Sequence, residues 1–232
     1  MASIDYTRAC RLLARRDPVI RSLIARHGDC GLKDAQRADH FHALVHAIIA
    51  QQLSTKAAAT IETRFRALFQ DGPAAAFAPC ASAPGEAEHD VRGLTPATVA
   101  VVSDERLRSV GISPQKLGYI RDLCAHVLNG SLGLDALERL TDDEVIDALT
   151  RVKGIGRWTA EMFLMFRLLR PDVLPVGDLG IVKAVHRAYR LRSLPSPQRL
   201  TRIGETWRPY RSVACWYLWA SLDAPPLERG RA

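Results

Sequence analysis

Two glycines separated by one apolar residue, Gly154-Ile155-Gly156, restrict the local structure of this chain more than any other feature of its sequence. Before them, Thr141 and Glu144 have the spacing of a capping box, which predicts a helix from Asp142 to about Arg151. After them, a second helix is predicted from about Arg157 to Leu169. Because glycine allows a sharp turn and leaves backbone N–H groups unshielded at the start of the second helix, the bend is a predicted site for an anion such as phosphate.

Helical periodicity extends over most of the remaining sequence. Apolar residues between Asp39 and Thr63 recur every three to four positions, and the break at residues 51–54 predicts two helices joined by a short polar turn. Ser103 and Ser113 are predicted N-caps, and a last amphipathic helix is predicted to begin near residues 209–211. No segment alternates apolar and polar residues over a useful length, so the predicted fold class is all-α.

The same patterns predict how the helices are grouped. Residues 41–166 are predicted to form one helical unit, and residues 1–40 together with 167–232 are predicted to form the second. The stretch from Gly72 to Gly93 is rich in alanine, proline and glycine, which indicates an irregular insert or a long loop. Because ligand sites tend to lie between such units, a cleft between them is the expected binding region.

Composition limits the kind of partner and the compartment. A formal charge of +7 and a pI near 9.5 favour a polyanionic partner, with the basic excess spread along the chain. The five cysteines are scattered and form no CxxC pair, which is typical of reduced intracellular thiols and argues against a zinc, iron–sulfur or disulfide site. No apolar run approaches a membrane span and no secretory signal is recognisable, so a cytoplasmic, nucleoid-associated protein without membrane contact is expected.

Two further groups of side chains could carry chemistry. Asp178 precedes a predicted helix that begins at Leu179, so it is expected to cap that helix, and an ionised carboxylate there could also act on a substrate. His42 and His46 share a predicted helix face and, together with His40, raise the alternative of a metal site. No fourth ligand is recognisable in the sequence.

Three parts of the sequence form a recognisable set: Lys153–Gly156 with Trp158–Ala160, the spacing Pro171-Asp172…Pro175…Asp178, and the segment Ile48–Ser54. Together they resemble the helix-hairpin-helix DNA glycosylases, and most closely the 3-methyladenine DNA glycosylase II branch, over roughly residues 41–219 without the insert. The resemblance implies a monomer that binds double-stranded DNA with damaged bases in the cleft between its units. It also implies that the enzyme flips an alkylated purine, with 3-methyladenine as the expected base, and hydrolyses its N-glycosidic bond to leave an abasic site.

The resemblance gives a role to each of several residues. Asp178 would stabilise positive charge that develops on the deoxyribose, and would orient or deprotonate the attacking water. Trp158 matches the position of the nucleophilic lysine in strand-cleaving members, and tryptophan cannot form a Schiff base, so no lyase activity is expected. Trp158 and Trp219 would stack on the cationic base, while Met162 stands in the pocket wall where the best-known relatives have a tyrosine.

The same resemblance places the DNA contacts. Gln52 matches the wedge that fills the gap left by a flipped nucleotide, although a glutamine here could equally cap a helix or bond across the turn. The hairpin would hold the DNA backbone, and nearby backbone carbonyls would bind a monovalent cation, Na⁺ or K⁺; no redox or organic cofactor is implied. The hairpin residues are Gly154, Ile155, Gly156 and Arg157, and the carbonyl groups are those of Thr150, Val152 and Ile155.

Two alternatives stay open on the sequence alone. The hairpin and the aspartate are common to the superfamily, so the enzyme could instead remove deaminated or oxidised bases. A non-catalytic module that recognises damaged or bent DNA would also keep the hairpin, and the presence of Asp178 does not by itself prove turnover. Release of a base from methylated DNA would separate these alternatives.

Overall fold

The computed structural model describes residues 4–34, 39–70 and 93–223 of the 232-residue chain. Within these ranges the chain forms twelve α-helices and no β-strand, which confirms the predicted all-α class. The helices are α1 (Tyr6–Arg16), α2 (Pro18–His27), α3 (His40–Ala50), α4 (Thr55–Gln70), α5 (Pro96–Val101), α6 (Asp104–Ser109), α7 (Pro114–Leu128), α8 (Asp142–Thr150), α9 (Arg157–Phe166), α10 (Leu179–Ala188), α11 (Pro197–Gly204) and α12 (Arg211–Asp223). Apart from Gly93, the predicted insert lies outside the described residues.

Several helices begin at the residues that their capping patterns predict. Ser103 caps α6 and Ser113 caps α7, each by accepting a backbone N–H three residues later. Thr141 forms the predicted capping box at the start of α8: its Oγ1 accepts the N–H of Glu144 at 3.3 Å, and Glu144 Oε2 accepts the N–H of Thr141 at 2.8 Å. These bonds satisfy donors that the first turn of a helix leaves without partners.

Two helices differ from the prediction. α9 ends at Phe166, three residues early, because Leu168 donates its N–H to the carbonyl of Phe163 and Leu169 adopts a left-handed φ of 51°. α12 is not amphipathic, since none of the residues 211–222 is exposed. The reason is that α1, α2 and α10 all pack against α12, so it has no side left for solvent.

The helices are grouped into two units. One consists of Met1–Arg37 with Ala160–Ala232 and is called the Asp178 unit; the other consists of Ala38–Thr159 and is called the hairpin unit. α12 is the centre of the Asp178 unit, and α7, which packs against α3, α5 and α6, is the centre of the hairpin unit. None of the helices within the described ranges is both long and apolar enough to cross a bilayer.

The basic residues are unevenly divided between the two units. The sequence of the hairpin unit carries more acidic than basic side chains, so the whole positive excess belongs to the Asp178 unit. The expectation of an excess spread along the chain is therefore wrong. A polyanion would be attracted mainly by the unit that carries Asp178.

Candidate active site and nucleic-acid interface

The glycine hairpin is anchored by its apolar residues. Val152 and Ile155 are buried in the hairpin unit, and the Ile155 N–H donates to the Val152 carbonyl at 3.1 Å. Gly156 and Arg157 are exposed at the start of α9. The predicted order of helix, hairpin and helix is confirmed, with α8 ending at Thr150 and α9 beginning at Arg157.

The two hairpin glycines have different physical requirements. Gly154 has φ of 82°, and a Cβ atom there would lie 2.1 Å from Cδ2 of the Tyr119 ring. Gly156 has no positive φ, and no described atom lies within 4 Å of where its Cβ would be. Gly154 is therefore required by the fold, because it combines a left-handed backbone with a close approach to an aromatic ring. The bare backbone of Gly156 leaves room for a ligand.

Only part of the hairpin backbone can receive an anion. The Lys153 N–H donates to Asp122 Oδ2 at 2.8 Å, and this bond lowers the pKa of Asp122 from its ordinary value. Among the described residues, the N–H groups of Gly154 and Gly156 have no acceptor. The phosphate site expected from the sequence is therefore limited to these two N–H groups and the first turn of α9, and does not include Lys153.

The two glutamines in the turn between α3 and α4 have different contacts. Gln51 donates from Nε2 to the carbonyl of Gly154 at 2.8 Å, so its side chain ties the turn to the hairpin. Gln52 is exposed and has φ of 57°, a left-handed conformation that is uncommon for a residue with a side chain. The Gln51 side chain thus bonds to the hairpin and not across its own turn, and Gln52 is presented at the surface.

Hydrogen bonds from α10 and α12 hold Oδ1 of Asp178. Asp178 caps α10, and its Oδ1 accepts the Ile181 N–H at 2.7 Å and the Trp219 Nε1–H at 3.0 Å. Asp178 as a whole residue is only 8% exposed. The predicted N-cap is thus confirmed, and the indole group fixes the orientation of the carboxylate from a second direction.

Two neighbours of Trp219, Phe166 and Gly180, were not predicted as site residues from the sequence. The centroid of the Trp219 ring lies 5.7 Å from that of Phe166, with 32° between the ring planes. A Cβ atom on Gly180 would lie 2.9 Å from Asp178 Oδ1 and 3.0 Å from Trp219 Nε1, so Gly180 makes room for the bond between them. The available sequence signal for Gly180 was a glycine inside the first turn of a helix, two residues after a candidate catalytic aspartate.

The loop that leads to Asp178 is fixed to the start of α12. Ser212 is fully buried; its Oγ donates to the carbonyl of Arg170 at 2.6 Å and accepts the Val173 N–H at 3.0 Å. Beside it, Arg211 Nε donates to Asp172 Oδ1 at 2.8 Å. The same helix carries Trp219 two turns later, so α12 constrains Asp178 both through the preceding loop and through the indole bond.

The other two residues predicted to contact the base, Trp158 and Met162, lie on α9. Trp158, in the hairpin unit, is 49% exposed, which is unusual for so large an apolar side chain. Met162 is partly buried and lies four residues later, on the same face of the helix. The described structure therefore brings Asp178 and Trp219 together, and presents Trp158 at the surface of the unit that contains the hairpin.

Of the three histidines considered as metal ligands, His42 and His46 belong to an ion-pair network around Glu62, whereas His40 Nε2 lies 3.6 Å from Glu138 Oε1. His42 Nε2 lies 3.1 Å from Glu62 Oε1, His46 Nδ1 lies 2.5 Å from Glu62 Oε2, and Arg66 NH2 lies 3.0 Å from Glu62 Oε1. Hydrogen bonds to His42 and His46 lower the pKa of Glu62, and the bond to Glu62 raises the pKa of His46. No group of three or more His, Cys, Asp or Glu side chains in the described ranges is arranged to hold a metal. The ion pairs of Glu62 link α3 to α4.

Comparison with known proteins identifies the family. Residues 45–209 match the family described as HhH-GPD superfamily base excision DNA repair protein, and the chain belongs to that superfamily. It is 30% identical over 188 residues to DNA-3-methyladenine glycosylase 1 of Schizosaccharomyces pombe, covering 81% of this chain and 74% of that protein.

Two solved structures are similar in fold. The structure of a Schizosaccharomyces pombe 3-methyladenine DNA glycosylase in complex with abasic DNA matches with a TM-score of 0.75 and 27% identity, covering 96% of this chain and all of that one. A DNA-3-methyladenine glycosidase from Bacillus halodurans matches with a TM-score of 0.67 and 35% identity, covering 88% and 89% of the two chains. Both likenesses extend over most of the chain and are not confined to the hairpin.

Proposed function

We propose that this protein is a monofunctional DNA glycosylase that acts as a monomer on double-stranded DNA, flips out an alkylated purine, 3-methyladenine above all, and hydrolyses its N-glycosidic bond. The observation that carries this proposal is the nearly buried carboxylate of Asp178, oriented by the Ile181 N–H and the Trp219 indole. It supports catalysis because a structural N-cap needs no second donor from a distant helix. The relatives named DNA-3-methyladenine glycosylases support the alkylated substrate.

Asp178 acts on the sugar in this mechanism. As the bond between C1′ and the base nitrogen breaks, its electron pair leaves with the base, and positive charge develops on the deoxyribose. A fixed carboxylate stabilises that charge without having to reorganise. Water then bonds to C1′ and gives up a proton, which Asp178 can accept. The products are the free base and an abasic site in an unbroken strand.

Two aromatic side chains select the base. N-alkylated purines such as 3-methyladenine carry positive charge in DNA, and an indole face attracts a cation in addition to stacking. Trp158 is exposed enough to meet a base, and Trp219 lies beside the carboxylate. Trp158 also stands where strand-cleaving enzymes need an amine, and an indole cannot form the Schiff base that strand cleavage requires.

Replacing Trp158 or Trp219 with alanine should impair removal of a cationic base more than removal of a neutral one. The lost cation–π attraction of about 0.5–2 kcal/mol corresponds to a rate difference of about 2- to 30-fold. The measurement is the ratio of single-turnover rates for 3-methyladenine and hypoxanthine in matched duplexes. If both rates fall by the same factor, these rings do not recognise charge.

Trp219→Phe is the matched control for this experiment. Phenylalanine keeps an aromatic face beside Phe166 but removes the N–H that bonds to Asp178. This variant should slow both substrates by similar factors, because it disturbs the carboxylate and not the selection of the base. A change in the ratio of the two rates would mean that the indole bond to Asp178 is itself part of base selection.

The hairpin binds the DNA backbone in this proposal. The N–H groups of Gly154 and Gly156 and the start of α9 form the phosphate site, with exposed Arg157 beside it. A monovalent cation would be held by the carbonyls of Thr150, Val152 and Ile155. The donor set fits Na⁺ or K⁺, since Thr150 ends α8, where helix carbonyls lack intrahelical partners, and the Val152 carbonyl keeps a second lone pair beyond its bond to Ile155.

Gly156→Asp should weaken affinity for every duplex, damaged or not, by about tenfold or more, because it places a like charge where a phosphate binds. Its thermal unfolding should be unchanged, since the Cβ position is open. Gly154→Ala should instead destabilise the fold by about 1–3 kcal/mol, from the left-handed φ alone. The measurements are thermal unfolding followed by circular dichroism, and a salt titration of DNA affinity.

Gly118→Asp provides the matched control for Gly156→Asp. Gly118 is exposed on α7 of the same unit and, like Gly156, has no described atom near its Cβ position. The Gly118→Asp variant should bind DNA with the affinity of the wild type. Equal DNA affinities for the wild type, Gly156→Asp and Gly118→Asp would mean that the hairpin is only a packing turn.

A panel of duplex oligonucleotides, each with one lesion, tests the proposed function directly. Formation of abasic sites should be fastest for 3-methyladenine and other cationic purines. Faster removal of hypoxanthine or 8-oxoguanine would support a glycosylase for deaminated or oxidised bases. Binding without release of any base would support a non-catalytic module for damaged DNA.

A further inference from the structure

Helix α7 carries three side chains on one face that reach the turn of Gln52 and the hairpin. They are Lys116, Tyr119 and Asp122, spaced three residues apart, and residues at this spacing lie along one side of a helix. The groups they contact all belong to the hairpin unit. The turn and the hairpin are therefore attached to the same helix.

Lys116 holds the turn. Its Nζ donates to the carbonyl oxygens of Ile49 and Gln51, each at 2.7 Å. Ile49 lies in the last turn of α3, where carbonyls lack intrahelical donors and carry partial negative charge, so an ammonium group is stabilising there. The second bond fixes the backbone of the residue directly before Gln52.

Tyr119 and Asp122 hold the hairpin. The Tyr119 ring lies so close to Gly154 that no side chain fits between them, and Asp122 accepts the N–H of Lys153 at 2.8 Å. Asp122 Oδ1 also lies 3.5 Å from the Lys153 ammonium group. These contacts place the bend of the hairpin directly on α7.

Gln51 connects the two attachments. Its carbonyl accepts from Lys116 while its side-chain amide donates to the carbonyl of Gly154. Gln52 follows with a φ of 57°, and a residue with a side chain keeps such a conformation only where its surroundings determine it. The contacts around it include the two bonds of Lys116, the amide bond of Gln51 and the bond from the Leu53 N–H to the Ala50 carbonyl, which closes the turn at 3.2 Å.

We propose that Lys116 is the positioning residue for the Gln52 wedge. In this arrangement α7 sets the wedge turn and the hairpin at a fixed spacing, so that binding of the backbone at Gly154 and Gly156 brings Gln52 to the base stack. This inference rests on the proposed function, in which Gln52 enters the duplex. Lys116 itself touches neither the base nor the sugar.

The test compares Lys116→Met with Arg139→Met, which removes one exposed positive charge elsewhere in the hairpin unit. Lys116→Met should slow release of 3-methyladenine from duplex DNA by about tenfold, because a wedge displaced by about 1 Å loses much of its effect. Release of the same base from single-stranded DNA should change by less than about twofold, since no stack has to be opened. Lys116→Arg should restore most of the duplex rate, because a guanidinium group can also donate to two carbonyls.

Equal losses on duplex and single strand would overturn the inference, because a general folding defect has that effect. A second test uses the double variant with Gln52→Ala. If Lys116 acts through Gln52, then Lys116→Met should add little to the loss caused by Gln52→Ala. Additive losses would also overturn the inference.

A flipping assay separates this inference from the proposed function. The fluorescence of 2-aminopurine next to the lesion reports base flipping whether or not a base is released. If the wild type flips but releases nothing, the proposed activity is wrong, and a signal lost in Lys116→Met still supports the inference. If Gln52→Ala abolishes the signal and Lys116→Met leaves it intact, the inference alone is wrong. Absence of the signal in the wild type would contradict both.

Discussion

Asp178→Asn should slow base excision by about 10²–10³-fold, the usual cost of removing one preorganised electrostatic contact from an active site. The fold should survive, because the side-chain oxygen of asparagine can still accept from the Ile181 N–H and the Trp219 indole. Affinity for DNA that contains an abasic site should also survive. A lower excision rate in this variant would therefore be due to the missing negative charge and not to a change in the shape of the side chain.

Single-turnover release of 3-methyladenine is the measurement for this variant, with Asp5→Asn as the matched control. Asp5 is another N-cap aspartate of the Asp178 unit; it accepts the Arg8 N–H at 2.9 Å and is exposed at the start of α1. The Asp5→Asn variant should release the base at the wild-type rate. Near-normal excision by Asp178→Asn would exclude a catalytic role for this carboxylate.

The product of the wild-type reaction tests the absence of lyase activity. The strand should stay intact and break only after treatment with alkali, because Trp158 cannot form a Schiff base. Borohydride added during turnover should trap no covalent complex. A trapped protein–DNA adduct would show that another amine of the chain attacks the sugar.

Gln52→Ala should slow excision from duplex DNA by about 10- to 100-fold, because flipping costs a few kcal/mol and the wedge offsets part of that cost. Release of the same base from a single strand should be nearly unchanged. The measurement is the ratio of the two single-turnover rates. Equal losses on both substrates would remove Gln52 from the wedge role.

Two further variants control for this result. Gln52→Gly removes the side chain and also accommodates the left-handed φ, so a loss shared by both variants cannot come from backbone strain. Gln198→Ala removes an exposed glutamine from α11 of the other unit and should leave the ratio unchanged. A normal ratio for Gln52→Gly would assign the effect of Gln52→Ala to the backbone of the turn.

Helix boundaries were predictable where a few neighbouring residues decide them. The capping box of Thr141 and Glu144 satisfies its donors within one turn, and Ser113 does the same for α7. The end of α9 was mispredicted because Leu169, a good helix former, adopts a left-handed conformation. The burial of α12 on all sides was also missed, since it depends on three helices that are distant in the sequence.

The sequence by itself determined the helices, the bend at Gly154-Ile155-Gly156, the position of Asp178 at the start of a helix and, by resemblance, the family. These follow from interactions between residues a few positions apart, whose spacing can be read directly. Only the tertiary structure decided that Trp219 donates to Asp178, that Gln51 bonds to Gly154, and that Lys116 holds the turn before Gln52. The two residues of each pair are separated by 41, 103 and 65 positions, respectively. Such contacts form only when the helices pack, so the spacing of neighbouring residues in the sequence does not predict which distant donor meets a given acceptor.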